Sequence, residues 1–123
     1  MDYSLTDLLT SLNEQRPIIH LVLHGLVPLL LALVVWQKKW VRAFMVMVAT
    51  MLVDIDHLLA VPIYEAGRCS ILFHPLHMPL PILIYLAMCF WPQSYKAGFY
   101  IRWTGIGLLI HMLLDGFDCL WMG

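Results

Sequence analysis

Four long apolar runs divide this chain, and each carries histidine or aspartate near one end. The runs cover roughly residues 18–36, 43–64, 74–91 and 99–121. An α-helix rises 1.5 Å per residue and the hydrocarbon core of a bilayer is about 30 Å thick, so stretches near twenty residues are long enough to cross it. A charged group at the bilayer centre costs about 2.5–3.5 kcal/mol on insertion scales, so several in one small chain demand a shared compensation. The groups concerned are His20 and His24, Asp54-Ile55-Asp56-His57, His74 and His77, and His111 with Asp115, followed by Asp118. No lysine or arginine interrupts these clusters. Histidine and carboxylate without a basic partner make a metal-ligand set rather than a salt-bridge set.

Composition narrows the architecture. Of the 123 residues, 62% are hydrophobic and only 12% are charged, about half the usual share for a soluble domain. The polar faces that a water-soluble helical bundle needs are missing. The expected fold is an all-α membrane protein: a single domain over 1–123 forming a four-transmembrane-helix antiparallel bundle, with a short N-terminal interfacial segment. A net charge of -1 gives no electrostatic footprint for nucleic acid. Residues 1–15 are polar and lack a basic stretch ahead of an apolar core, so no cleaved signal peptide is expected. Ser4 or Thr6 is placed to open a short amphipathic helix lying at the interface. Pro28 is expected to kink the first span, and Pro75, Pro79 and Pro81 to make the opening of the third irregular. Irregular backbone at membrane depth is tolerated where it lines protein or a water cavity.

The basic residues sort by side. Lys38, Lys39 and Arg42 follow the first span, and Lys96 and Arg102 lie between the third and fourth; only Arg16 and Arg68 fall on the other side. Positive-inside counting then puts both termini and the loop between spans two and three outside the cytoplasm. Up-down-up-down order brings all four clusters to that same outer face, which the charge count did not require. Cys69 and Cys119 fall there too, leaving open either a disulfide or two free thiols. The expected setting is a bacterial inner membrane, crossed several times, with the metal site toward the non-cytoplasmic side.

Spacing sharpens the donor set. His20 with His24, Asp54 with His57, and His111 with Asp115 stand three or four residues apart and share helix faces. Asp56 lies well round the helix from Asp54, so both reach one site only if it is wide or one of them supports the other ligands. His20 and Asp118, nearer the interface, are expected to be solvated or supporting groups. The candidate ligands are His24, Asp54, Asp56, His57, His74, His77, His111 and Asp115. Zinc takes about four ligands, and a catalytic site keeps one position open. The surplus of donors therefore fits one or two divalent ions, zinc being expected, with a bridging carboxylate where there are two.

At these residues the chain resembles small bacterial inner-membrane proteins classed as membrane-bound metal-dependent hydrolases. Those share an early histidine in the first span, an Asp-x-Asp-His motif ending the second, two histidines opening the third, and a late His-x-x-x-Asp. Here His24, Asp54-Ile55-Asp56-His57, His74/His77 and His111/Asp115 match them. The third cluster departs from the pattern: His74-Pro75-Leu76-His77 replaces a longer motif containing arginine and threonine. The resemblance implies hydrolysis of a lipid or envelope ester or phosphoester by metal-activated water. Asp54 would serve as general base or bridging ligand, and membrane lipid would be both environment and substrate. The competing expectation is a non-catalytic metal-binding membrane protein, a metal carrier or an envelope assembly factor.

Overall fold

The computed structural model describes residues 4–122, and among them it is all-helical. The single-domain expectation thus concerns those residues; 1–3 and 123 lie outside them. Helix α1 (Leu5–Glu14) opens at Ser4 rather than Thr6. The Ser4 hydroxyl accepts from the Asp7 amide at 3.3 Å, and the Asp7 carboxylate accepts from the Ser4 amide at 3.2 Å. That reciprocal pair is a capping box, which satisfies two amides a helix start otherwise leaves open. Leu5, Leu8, Leu9 and Leu12 line one stripe of α1, and none of its residues is buried.

Helix α2 (Arg16–Val35) buries His24, Pro28 and Ala32, four residues apart on one face, and continues through Pro28. Helix α5 (Gly98–Met122) buries Trp103, Gly107, His111 and Asp115 with the same spacing. Each ridge passes from apolar residues to metal-type donors along its length. Both helices are long and apolar enough to cross a membrane.

The second and third apolar runs do not form continuous α-helices. Helix α3 (Trp40–Ala49) tightens at its end into a 3₁₀ helix, Thr50–Leu59. Such helices seldom exceed three or four residues, because their hydrogen bonds are poorly aligned. Thr50 contributes locally, since its hydroxyl donates to the Met47 carbonyl three residues back and competes for a main-chain acceptor. After an irregular stretch, a short 3₁₀ turn (Pro75–His77) leads into α4 (Pro79–Cys89). Proline has no amide hydrogen to donate, so this cluster starts a helix without extending it backward. The expectation of an irregular opening to the third run is borne out.

Helix α5 is the hub, packing on α2, α3, α4 and the long 3₁₀ helix. Two glycines let backbones approach it. A Cβ on Gly107 would lie 2.9 Å from the Met47 Cα and the Thr50 side chain, and one on Gly105 would lie 2.8 Å from the Tyr85 carbonyl oxygen. Small residues serve the same purpose in membrane helix pairs. Away from the donors, Ala32, Ala43, Met47 and Trp103 form an apolar core. Trp36 closes it, packing edge-on to Phe99 and Trp103 with ring centroids 6.0 and 6.4 Å away. At the opposite end a Cys69–Cys119 disulfide ties the irregular segment to the last turns of α5.

Candidate metal centre

Three residues per turn make every third side chain of a 3₁₀ helix eclipse. Thr50, Val53 and Asp56 accordingly form the buried face of the long 3₁₀ helix, while Asp54 and His57 share the next. This resolves how two aspartates so far round one helix serve one site. Asp56, 3% exposed, stands behind His77. Its Oδ2 accepts from the Leu76 amide at 2.8 Å and from His77 Nδ1 at 3.1 Å. A carboxylate only accepts, so Nδ1 carries the proton and Nε2 presents its lone pair; carboxylates orient metal-binding histidines in this way.

That Nε2 atom faces two carboxylates from different segments. It lies 3.1 Å from Asp115 Oδ2 and 3.5 Å from Asp54 Oδ1. His111 Nε2 is hydrogen-bonded to Asp54 Oδ1 at 3.0 Å and lies 3.4 Å from Asp115 Oδ2. The ligand atoms of Asp54, His77, His111 and Asp115 all lie within 4.8 Å of one another. His77 Nε2 and Asp115 Oδ2 are buried without a hydrogen-bond partner despite their closeness. Nitrogen and oxygen that are near but not aimed at each other converge on a common point, as ligands do. An unsatisfied buried polar atom costs about 1–3 kcal/mol, so several at one place need a ligand to balance them. The residues therefore fit a divalent metal.

Asp115 belongs to a second group. Its Oδ1 lies 3.1 Å from His20 Nε2 and 3.4 Å from His24 Nε2. Asp56, His57 and His77 form a third group. The structure thus brings His24, Asp54, Asp56, His57, His77, His111 and Asp115 to one end of the bundle. His74 departs from expectation: it is buried but belongs to none of the three groups. Its ring packs on His57 with centroids 3.8 Å apart and lines a cavity beside the donors. His20 departs in the other direction, joining the donors although the sequence reading placed it among solvated or supporting groups. Its signal was its register, since Arg16, His20 and His24 extend the same four-residue ridge as buried Pro28 and Ala32.

A cavity of about 360 Å³ opens beside the donors, lined among others by Arg16, His20, Asp54, His57, Arg68 and Asp115. Both arginines are held in place. Arg68 donates to the Pro62 and Ile63 carbonyls at 2.9 Å each and lies 4.6 Å from the Phe73 ring centroid. Arg16 donates to the Ala66 carbonyl at 2.8 Å and pairs with Asp118 at 3.4 Å. In the sequence, Arg16 and Arg68 stand out only as the two basic groups on this side. A larger groove, about 480 Å³, runs along the apolar flank by Val46, Val53, Tyr85 and Leu108 and contains none of the donors.

Fold and site together define a small helical protein, with two helices able to cross a membrane and His/Asp groups able to hold a metal ion. The chain belongs to DUF6122, a family of unknown function, which it matches over residues 15–122. That match spans every donor from His20 to Asp118. No curated protein and no solved structure matches the chain.

Proposed function

We propose that this protein is a membrane-embedded metal-dependent hydrolase acting on an ester or phosphoester of a lipid or envelope metabolite. The observation that carries the reading is the convergence of Asp54, His77, His111 and Asp115, from three separate segments, beside an open cavity. The motif resemblance to membrane-bound metal-dependent hydrolases supports the same reaction class. These four residues would hold the ion, and zinc suits their nitrogen and oxygen donors. An ion there supplies a nucleophilic hydroxide near neutral pH and neutralises charge that builds on the scissile group. Asp54 lines the cavity as well as the donor group, a position suited to taking a proton from attacking water. Arg16 and Arg68, paired with Asp118 at 3.4 Å and Glu65 at 3.6 Å, are the guanidinium groups that a phosphoester would meet in the cavity.

Membrane insertion follows the same polarity. We read all four apolar runs as crossings, in antiparallel order. Ten α-helical residues and ten 3₁₀ residues give residues 40–59 a length of about 35 Å, enough for the hydrocarbon core. Large apolar side chains point outward along the bundle, among them Val34, Leu80, Leu113 and Leu120, and lipid is their natural cover. The exposed leucine stripe of α1 fits the interface. Lys38, Lys39 and Lys96 lie far from the donors along the chain's path, so positive-inside sorting turns the donor end outward. A disulfide at that end suits an oxidising, non-cytoplasmic compartment of a bacterial inner membrane. Beyond the donors the interior is Ala32, Ala43, Met47 and Trp103, which offers no ligand path to the far side and disfavours a metal carrier.

The test is turnover by metal-loaded, detergent-purified protein against a panel of lipid phosphoesters and carboxylic esters. Hydrolysis by the parent and its loss in Asp54→Asn are expected. A metal-loaded protein inert toward every member of the panel would replace this reading with a non-catalytic metal protein.

A further inference from the structure

We propose a second metal position, built by His20, His24 and Asp115, so that Asp115 bridges two ions. The inference rests on the preceding reading for its first ion. Asp115 divides its oxygens between two sets of nitrogens. Oδ2 faces His77 and His111 at 3.1 and 3.4 Å, while Oδ1 faces His20 and His24 at 3.1 and 3.4 Å. The first set with Asp54 already supplies the four ligands that zinc ordinarily takes. His20 and His24 are therefore surplus to one ion, yet they meet the free side of the same carboxylate.

The hydrogen bonding of His24 leaves one ring nitrogen for a ligand. Its Nδ1 lies 2.8 Å from the His20 carbonyl oxygen. A carbonyl can only accept, so Nδ1 carries the hydrogen and Nε2 of the neutral ring has a lone pair. Nε2 is buried without a hydrogen-bond partner in a residue 4% exposed, and it faces Asp115. Two lone pairs facing one another at 3.4 Å repel unless a cation lies between them. A divalent ion serves both groups at once.

The second group has three donors where the first has four, and it borders the cavity through His20 and Asp115. Three protein ligands leave the open position that distinguishes catalytic zinc sites from structural ones. Asp54 and Asp115 of the four-donor group line the same cavity, so both positions border it and the second adds a further open coordination position there. Asp118 lies 3.9 Å from His20 Nδ1 and 3.4 Å from Arg16 Nε, so it links the second position to the cationic rim.

The test uses full-length protein in detergent, loaded with Mn²⁺ and then Zn²⁺, with metal counted by mass spectrometry and Mn²⁺ spin coupling read by electron paramagnetic resonance. The parent is expected to bind two ions per chain and give a coupled-pair spectrum. His24→Ala should bind one ion, with an uncoupled six-line Mn²⁺ spectrum and an intact Cys69–Cys119 bond. If His24→Ala does not fold, His20→Ala, at the more exposed ligand, should give the same halving. One ion per chain in the parent overturns the second position and leaves the first standing. No ion in the parent overturns both readings. Loss of both ions in a folded His20→Ala or His24→Ala variant overturns the assignment of that histidine to a separate position.

Discussion

The two ends of the bundle are built by opposite means. At the end holding Trp36, Phe99 and Trp103, the helices are regular and the interior is alanine, methionine and aromatic rings. At the other, α3 tightens into 3₁₀ form, the third run breaks at its prolines, and the interior is histidine and aspartate. One helix, α5, belongs to both, changing from Trp103 and Gly107 to His111 and Asp115 along a single ridge. The regular end needs only shape, because apolar side chains pack without directional partners. The irregular end must bring nitrogens and oxygens from separate segments to one point, and a straight α-helix cannot aim both Asp54 and Asp56 usefully. The contrast teaches that backbone irregularity here follows donor placement rather than weak packing.

If that division holds, changes at the two ends separate stability from metal. The largest effect is expected from Asp115→Ala, which removes the carboxylate shared by two donor groups and should leave metal content near zero by mass spectrometry. Breaking the disulfide with Cys119→Ser opens a link spanning 50 residues and should lower stability by about 4 kcal/mol on the chain-entropy estimate, read by thermal unfolding in detergent. Trp103→Ala should cost about 3 kcal/mol through the void it leaves, with metal content unchanged. Coupled loss of metal in that variant would break the comparison, because the ends would then not be independent. The mildest change is expected from Asp56→Asn, which keeps an acceptor for His77 Nδ1 but weakens it; metal affinity should fall about 10- to 100-fold without unfolding.

Much of this was legible in the sequence, and for identifiable reasons. The all-helical class and two helices long and apolar enough to cross a membrane follow from hydropathy, and the donor clusters meet at one end as their places in the apolar runs suggest. A short N-terminal helix was expected to open at Ser4 or Thr6, and irregularity at Pro75, Pro79 and Pro81 followed from their missing amides. The 3₁₀ form of Thr50–Leu59 was not legible, because its residues read equally well at 3.6 per turn. Hence the part played by Asp56, set by a three-residue period, stayed open until the backbone was known. His20 was undervalued because depth along a span was weighed above helix register. His74 lines the cavity and packs on His57, a place that its nearness to His77 in sequence does not by itself assign. The Cys69–Cys119 pairing, left open by counting, depended on the path of the irregular segment.

The central claim is that histidine and aspartate from separate segments converge on metal, and zinc K-edge X-ray absorption of the purified, zinc-loaded full-length protein tests it most directly. A first shell of nitrogen and oxygen at about 2.0–2.1 Å is expected, with imidazole outer-shell scattering and no sulfur at about 2.3 Å. Cys69 and Cys119 are joined to each other, and Cys89 lies by Gly105 in the apolar half, so none offers a thiolate to the donors. A sulfur-containing shell, or a shell without imidazole scattering that Asp115→Ala leaves unchanged, would contradict it.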